Sequence, residues 1–100
     1  MSYDNWLTIT VPFAQAASAA KIGKAFDPDV GGEFSFTEID GELVCSTPCT
    51  SAFKDQALAL MSDPVALHQA CLADYASRWP ELTSPTLAEC EEFISTLSIK

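Results

Sequence analysis

Two runs of alternating side chains flank an Asp-Gly pair in the segment FSFTEIDGELVCS, residues 34–46. Asp-Gly between such runs favours a two-residue hairpin turn, because both residues tolerate the positive φ angles that this turn requires. A turn of this length pairs Phe36 with Cys45 across the hairpin. In that register four apolar side chains share one face, namely Phe34, Phe36, Leu43 and Cys45. The turn chemistry and the apolar pattern therefore predict the same β-hairpin.

The segment before the hairpin predicts one further strand and one helix. Apolar and polar side chains alternate through WLTITV, which indicates a strand over residues 6–11. An alanine-rich run over residues 14–26 then favours a helix, since alanine has the highest helix propensity. Proline cannot continue a helix, so this helix is expected to end before Pro28.

Three helix-start signals follow the hairpin. Thr50 or Ser51 is suited to cap a helix that ends near Ser62. Asp63-Pro64 and Ser84-Pro85 each place a capping residue before a proline at the first helical position. The last helix is predicted to carry an apolar stripe, with Phe93 beside it, on Leu87, Cys90, Ile94 and Leu97.

The predicted order of elements is β-α-β-β-α-α-α. It corresponds to one α+β domain over residues 1–100, in which a three-stranded sheet packs one face against helices. A chain of 100 residues with 48% hydrophobic content can bury a core, but it leaves little room for a deep active site and its supporting shell. We therefore expect a protein that is not an enzyme and that needs no cofactor.

The chain is strongly acidic, because 14 Asp and Glu stand against 5 Lys and Arg and give a formal net charge of -9. This charge repels nucleic-acid phosphates and anionic lipid head groups, and it attracts basic protein surfaces. No export signal or membrane-spanning stretch is recognisable, which predicts a cytoplasmic location. The expected partner is a basic protein surface and not a nucleic acid or a membrane.

The four cysteines, Cys45, Cys49, Cys71 and Cys90, are predicted to be free thiols in a chain without a secretion signal. They lack the paired C-x-x-C spacing of zinc sites, so we predict no metal. Cys45 and Cys49 precede a predicted helix, whose N-terminus would stabilise a thiolate. A small thiol oxidoreductase that uses Cys49 with Cys45 is therefore an alternative to the interpretation of both as core residues. The single histidine, His68, lies on an apolar helix stripe and is interpreted as a packed residue.

The acidic side chains form the main candidate site. Six of them occur between residues 27 and 53, a stretch without Lys or Arg. They are Asp27, Asp29, Glu33, Glu38, Asp40 and Glu42. Such a cluster is either a solvated surface or an interaction face that imitates phosphates and meets basic side chains. We predict an interaction face, which requires no catalytic residue.

The chain resembles the small acidic proteins that bacteriophages and prophages encode, among which are the anti-CRISPR proteins. The likeness lies in the size, the acidity, the β-α-β-β start and the connection FDPDVGG, residues 26–32. It is one of type and carries over no functional residue. The resemblance implies an inhibitor that acts in a bacterial host cell and binds the basic, nucleic-acid-binding surface of a host defence complex.

A third interpretation is structural. The helices predicted over residues 64–79 and 85–97 would bury their apolar sides against a second copy of the chain or another subunit. Tyr75 and Trp79 favour this interpretation because aromatic anchors are enriched at protein interfaces.

Overall fold

The computed structural model describes residues 4–26 and 34–99, which form a four-stranded antiparallel sheet with four helices. The strands are β1 (Asn5–Pro12), β2 (Ser35–Ile39), β3 (Glu42–Cys49) and β4 (Ser98–Ile99), in the spatial order β2-β3-β1-β4. The helices are α1 (Ala16–Phe26), α2 (Ser51–Leu60), α3 (Pro64–Arg78) and α4 (Leu87–Thr96). The predicted α+β class is confirmed. The connection over residues 27–33, with its expected stop at Pro28, lies outside the described residues.

The hairpin forms in the predicted register. Asp40 and Gly41 have φ angles of 52° and 82°, the left-handed conformation that a two-residue turn between right-twisted strands requires. Phe36 lies opposite Cys45 across the β2–β3 pair. The Phe13 N–H donates a hydrogen bond of 2.9 Å to the Gly41 carbonyl and so ties the turn to the end of β1.

The centre of the sheet is the pairing of β1 with β3. The two strands pair in antiparallel fashion over all eight residues of β1, from Asn5 opposite Cys49 to Pro12 opposite Glu42. The sheet has one strand more than predicted, because β4 adds to the other side of β1. A strand of two residues is too short to show an alternating pattern, so the sequence does not predict it. β4 forms because α4 places the residues that follow it beside β1.

The two faces of the sheet differ in what covers them. We define the inner face by Leu7, Ile9, Val11, Leu43, Cys45, Thr47 and Cys49, all of which are buried. Three helices, α1, α2 and α4, contact β1, and α3 packs against those helices. We define the outer face by Trp6, Thr8, Thr10, Glu42, Val44 and Ser46. The buried hydrophobic residues of the inner face and of the helices form one core cluster.

The edge strand β2 lies beyond the helices that cover the inner face. Phe36 faces the same side as Cys45, as predicted, yet it is 42% exposed because β2 is the outermost strand. Its ring packs over Gly23 of α1, where an added Cβ would lie 3.2 Å from the ring tip. The missing side chain at Gly23 therefore lets α1 approach the edge of the hairpin.

Two of the three helix starts agree with the sequence signals. The Thr50 hydroxyl accepts a hydrogen bond of 3.1 Å from the Phe53 N–H at the start of α2. The Asp63 carboxylate accepts bonds of 3.2 Å from the first free N–H groups of α3, and Pro64 takes the first helical position. These side chains satisfy backbone donors that have no partner within the helix.

The start of α4 was wrongly predicted. The cap is Thr86 and not Ser84, and Pro85 is buried in the preceding loop. Thr86 accepts a bond of 3.1 Å from the Glu89 N–H, while the Glu89 carboxylate accepts one of 2.9 Å from the Thr86 N–H. This reciprocal capping box satisfies two donors and outcompetes the Ser-Pro signal.

The apolar side of α4 agrees with the predicted stripe in part, since Cys90 is buried and Ile94 and Leu97 pack against the core. Cys90 and Phe93 are its buried residues, whereas Leu87 is 37% exposed. Phe93 is therefore the centre of the helix–sheet contact and not its flank. Leu87 lies at the start of the helix and is the residue of the predicted stripe that the structure leaves exposed.

Candidate functional site

Three of the six predicted acidic residues lie at the hairpin tip, which we define as residues 38–42. Glu38 is in β2, Asp40 is in the turn and Glu42 begins β3, and all three are exposed. Glu38 lies opposite Leu43 and thus on the side of the inner face, whereas Glu42 belongs to the outer face. The tip therefore presents carboxylates on both sides of the sheet.

The other three acidic residues, Asp27, Asp29 and Glu33, lie outside the described residues. Their membership of an interaction face stays a prediction.

The carboxylates of the hairpin tip have no structural partner in the described part of the chain. Within residues 4–26 and 34–99, none of Glu38, Asp40 and Glu42 makes a salt bridge or a side-chain hydrogen bond. Their charges are directed at water, where a charged partner can reach them.

The described cations lie on the helices and not on the sheet. They are Lys21, Lys24, Lys54 and Arg78. The Lys21 ammonium lies 3.2 Å from the Glu89 carboxylate, and the Arg78 guanidinium lies 3.9 Å from that of Asp74. The described positive charges thus lie on the helices, where two of them form ion pairs with helical acidic residues. The hairpin tip carries only negative charges.

Glu89 shows what a structurally engaged acidic residue looks like. Its carboxylate accepts the Thr86 N–H in the capping box and also bonds Lys21. The Thr86 backbone bond, followed by the bond and charge of Lys21, holds the pKa of Glu89 below its usual value despite partial desolvation. The acidic residues of α4 therefore do not all belong to the same class as those of the hairpin tip.

A shallow groove opens on the outer face beside the hairpin tip. It has a volume of about 250 Å³ and is lined by Thr10, Ile39, Asp40, Glu42 and Val44. Thr10 is 3% exposed, and its hydroxyl oxygen is buried without a hydrogen-bond partner. Sequence reasoning missed Thr10, since its alternation with Thr8 indicates only a solvent-facing position.

The dithiol of the oxidoreductase alternative is not supported by the geometry of β3. Cys45 and Cys49 both belong to the inner face, and four residues along a strand span about 13 Å. A disulfide needs Cα atoms within about 7 Å. Burial raises the pKa of Cys45 to about 11 and also raises that of Cys49, so both thiols stay protonated near neutral pH. Cys49 is the last residue of β3, so Thr50 and not a cysteine occupies the cap position of α2.

The other two cysteines lie between helices. Cys71 of α3 and Cys90 of α4 are both fully buried, and their side chains are within hydrogen-bonding reach of each other. Burial raises the pKa of the Cys71 thiol to about 12. His68 is half-buried on α3 and hydrogen-bonds no other described side chain. Within residues 4–26 and 34–99, no cysteine hydrogen-bonds His68 as an activated thiol bonds its base.

The aromatic anchors proposed for a dimer are used within the chain. The Tyr75 hydroxyl donates a hydrogen bond of 2.8 Å to the Lys21 carbonyl and thereby joins α3 to α1. The Trp79 ring meets Tyr75 edge-on at 5.6 Å, and the Lys24 ammonium lies 4.4 Å from the Trp79 ring centre. These contacts assign both aromatic residues to the internal packing of α1 against α3.

Comparisons of the chain with protein-family models, with curated proteins and with solved structures find no match. Among the described residues, no three His, Cys, Asp or Glu side chains converge into a group suited to hold a metal ion. No helix in residues 4–26 and 34–99 combines the length and hydrophobicity that crossing a lipid bilayer requires. The candidate site is thus defined by its own geometry, the hairpin tip and the adjoining groove.

Proposed function

We propose that this chain is a non-enzymatic binding protein whose hairpin tip engages a basic protein surface. The observation that carries the proposal is the different use of acidic side chains. Glu89 is bound into a cap and an ion pair, whereas Glu38, Asp40 and Glu42 are exposed and unpaired in the described structure. Exposed charges of one sign steer an oppositely charged partner and favour one orientation of approach.

The class of partner follows from charge. A net charge of -9 opposes binding to nucleic acid itself but suits a protein groove that is lined with Arg and Lys to hold nucleic acid. Carboxylates in such a groove would occupy the positions of phosphates and compete with them. The proposed physiological form is a phage-type, anti-CRISPR-like inhibitor that acts on a host defence complex inside a bacterial cell. Small size, acidity and the resemblance in type support this form.

Buried thiols support a non-enzymatic role over the oxidoreductase alternative. Catalytic cysteines are exposed and have a lowered pKa, so that the thiolate is available. Cys45 and Cys49 are buried and have raised pKa values. The hairpin tip, in contrast, is accessible as it stands.

The test compares two variants with the same change of charge. The first is Glu38→Lys/Asp40→Lys/Glu42→Lys at the hairpin tip. The second is Asp55→Lys/Glu91→Lys/Glu92→Lys, a matched control at exposed positions of α2 and α4. Each tagged protein is incubated with bacterial lysate at low and high salt, captured proteins are identified, and released nucleic acid is measured.

The expected result is a basic nucleoprotein complex that the wild type retains at low salt and releases at high salt. The hairpin-tip variant should associate with this complex at least about tenfold more slowly, since like charges now oppose the encounter. The control variant should keep most of the association rate. Equal binding by both variants would show that the hairpin tip is not the site, and the absence of any basic partner would refute the function.

A further inference from the structure

We propose that the groove on the outer face is a binding site for one arginine side chain of the partner. This inference rests on the proposed function and specifies which chemistry the hairpin tip recognises. Two independent features meet in the groove, namely a pair of unpaired carboxylates and a buried hydroxyl without a partner. A surface that only repels anions would need the carboxylates but not the buried hydroxyl.

The buried hydroxyl is the feature that points to a ligand. Thr10 Oγ1 is the one buried side-chain oxygen or nitrogen within residues 4–26 and 34–99 that lacks a hydrogen-bond partner. Native proteins satisfy nearly all such groups, because an unpaired buried polar atom destabilises the fold. The side chain points to the outer face, since its neighbours Ile9 and Val11 belong to the inner face. It forms the floor of the groove.

The walls of the groove favour a long side chain with a charged end. Ile39 and Val44 are apolar and suit a methylene stem, while Asp40 and Glu42 supply negative charge at the tip end. Volume limits the occupant further, because about 250 Å³ in an open groove holds one extended side chain. Lysine and arginine both have this form.

The number and arrangement of acceptors favour arginine over lysine. Two carboxylates and one hydroxyl oxygen surround the groove, and they belong to Asp40, Glu42 and Thr10. A guanidinium presents five N–H donors in a plane and can serve several acceptors together. An ammonium has three donors, but all of them start from one compact, strongly hydrated nitrogen, whereas the guanidinium spreads its donors over three nitrogens.

The backbone of the groove is held in place by the fold. Thr10 lies directly opposite Val44 in the β1–β3 pair, and the Phe13 N–H holds the turn at Gly41 with a bond of 2.9 Å. The floor of the groove thus belongs to β1, and its tip is anchored to Phe13, the residue that follows β1. The Thr10 hydroxyl is buried, so it reaches a ligand only when the Thr10 side chain rotates, whereas the backbone around it need not move.

The experiment measures the affinity of fluorescent hexa-arginine and hexalysine peptides at low salt by anisotropy. The proteins are wild type, Thr10→Val, the hairpin-tip charge reversal and Thr8→Val as a matched control. Thr8 lies on the same face of the same strand but outside the groove, and its hydroxyl already bonds Ser46 at 3.1 Å. Valine has the shape of threonine without the hydroxyl, and urea unfolding checks that each variant is folded.

The wild type should bind hexa-arginine more tightly than hexalysine. Thr10→Val should weaken binding of hexa-arginine about fivefold, the effect of losing one charge-assisted hydrogen bond, and should leave hexalysine almost unchanged. Thr8→Val should leave both affinities at the wild-type value. If Thr10→Val fails to fold, Glu42→Gln replaces it and should likewise weaken hexa-arginine more than hexalysine.

The outcomes separate this inference from the proposed function. Equal affinity for the two peptides, or an unchanged affinity in Thr10→Val, overturns the arginine site while acidic binding stands. If the hairpin-tip charge reversal binds hexa-arginine as the wild type does, or if neither peptide binds the wild type, the proposed function itself fails.

Discussion

On the inner face of the sheet, the side chains of β1 and β3 are covered by helices, whereas on the outer face most of them remain in contact with water. Leu7 is fully buried and its neighbour Trp6 is 58% exposed, although both lie in the same strand. Thr10 alone departs from this division, because it is buried on the open side. Thr10 lines the groove, and its burial distinguishes the groove from an ordinary solvated surface.

The same division applies to charge. On the helical side Glu89 completes a capping box and an ion pair, and Asp63 caps α3. At the hairpin tip, Asp40 and Glu42 make no such contact within the described residues. Acidity alone therefore does not identify an interaction residue. The criterion is whether the carboxylate is already bonded within the fold.

Thiol labelling gives the largest expected effect. All four cysteines lie on the covered side of the molecule, two on β3 and two between α3 and α4. Their reaction with iodoacetamide near neutral pH should require unfolding. Its rate should therefore be limited by the small unfolded fraction that corresponds to a free energy of unfolding of about 5–15 kcal/mol in a typical domain. All four should react together in denaturant. Fast labelling of Cys49 in the native protein would contradict the burial of this thiol and favour the oxidoreductase alternative.

A pair of adjacent substitutions tests the two faces directly. Leu7→Ala leaves a cavity beneath the helices and should lower the free energy of unfolding by about 2–5 kcal/mol. Trp6→Ala, one residue earlier but on the outer face, should change it by less than about 1 kcal/mol, because most of that ring is already in water. Urea denaturation measures both. Equal losses would mean that something covers the outer face in solution.

The smallest effect distinguishes the two kinds of acidic residue. Glu89→Gln removes the ion pair with Lys21 but keeps an amide oxygen for the cap, so it should cost up to about 1 kcal/mol at neutral pH. Glu42→Gln should leave the free energy of unfolding unchanged, since the Glu42 carboxylate has no partner in the described structure.

The contribution of Glu89 should also depend on pH. Its pKa is lowered in the folded chain, so the carboxylate is the form that the fold favours. Its contribution is complete above the ordinary pKa of 4.5 and is lost as the pH falls through the lower folded value. The stability difference between wild type and Glu89→Gln should therefore vanish in acid. A difference that persists there would show that charge is not its cause.

Features that depend on neighbours in sequence were predictable. Asp40-Gly41 indicates the turn and its register, and Asp63-Pro64 indicates the start of α3. The start of α4 was wrongly predicted because the sequence contains two competing helix-start signals. They are Ser84-Pro85 and the capping box of Thr86 with Glu89. The reciprocal bonds of the box prevail, and Pro85 is buried.

The candidate site was predictable only in part. The exposure of Asp40 and Glu42 follows from their place in a polar turn, whereas the groove requires β1 to lie beside β3. Nothing in the alternation of β1 distinguishes Thr8, whose hydroxyl bonds Ser46, from Thr10, whose hydroxyl has no partner within residues 4–26 and 34–99. That difference depends on which residues the partner strand brings opposite each hydroxyl.

Local chemistry thus accounts for the hairpin, most of the helices and the excess of negative charge, because turns, caps and composition involve residues that are close in the chain or simply counted. Packing accounts for the rest. The burial of all four thiols, the ion pair of Lys21 with Glu89 and the buried hydroxyl of Thr10 depend on which distant segments become neighbours. Those contacts arise only when the helices close over one face of the sheet and leave the other open.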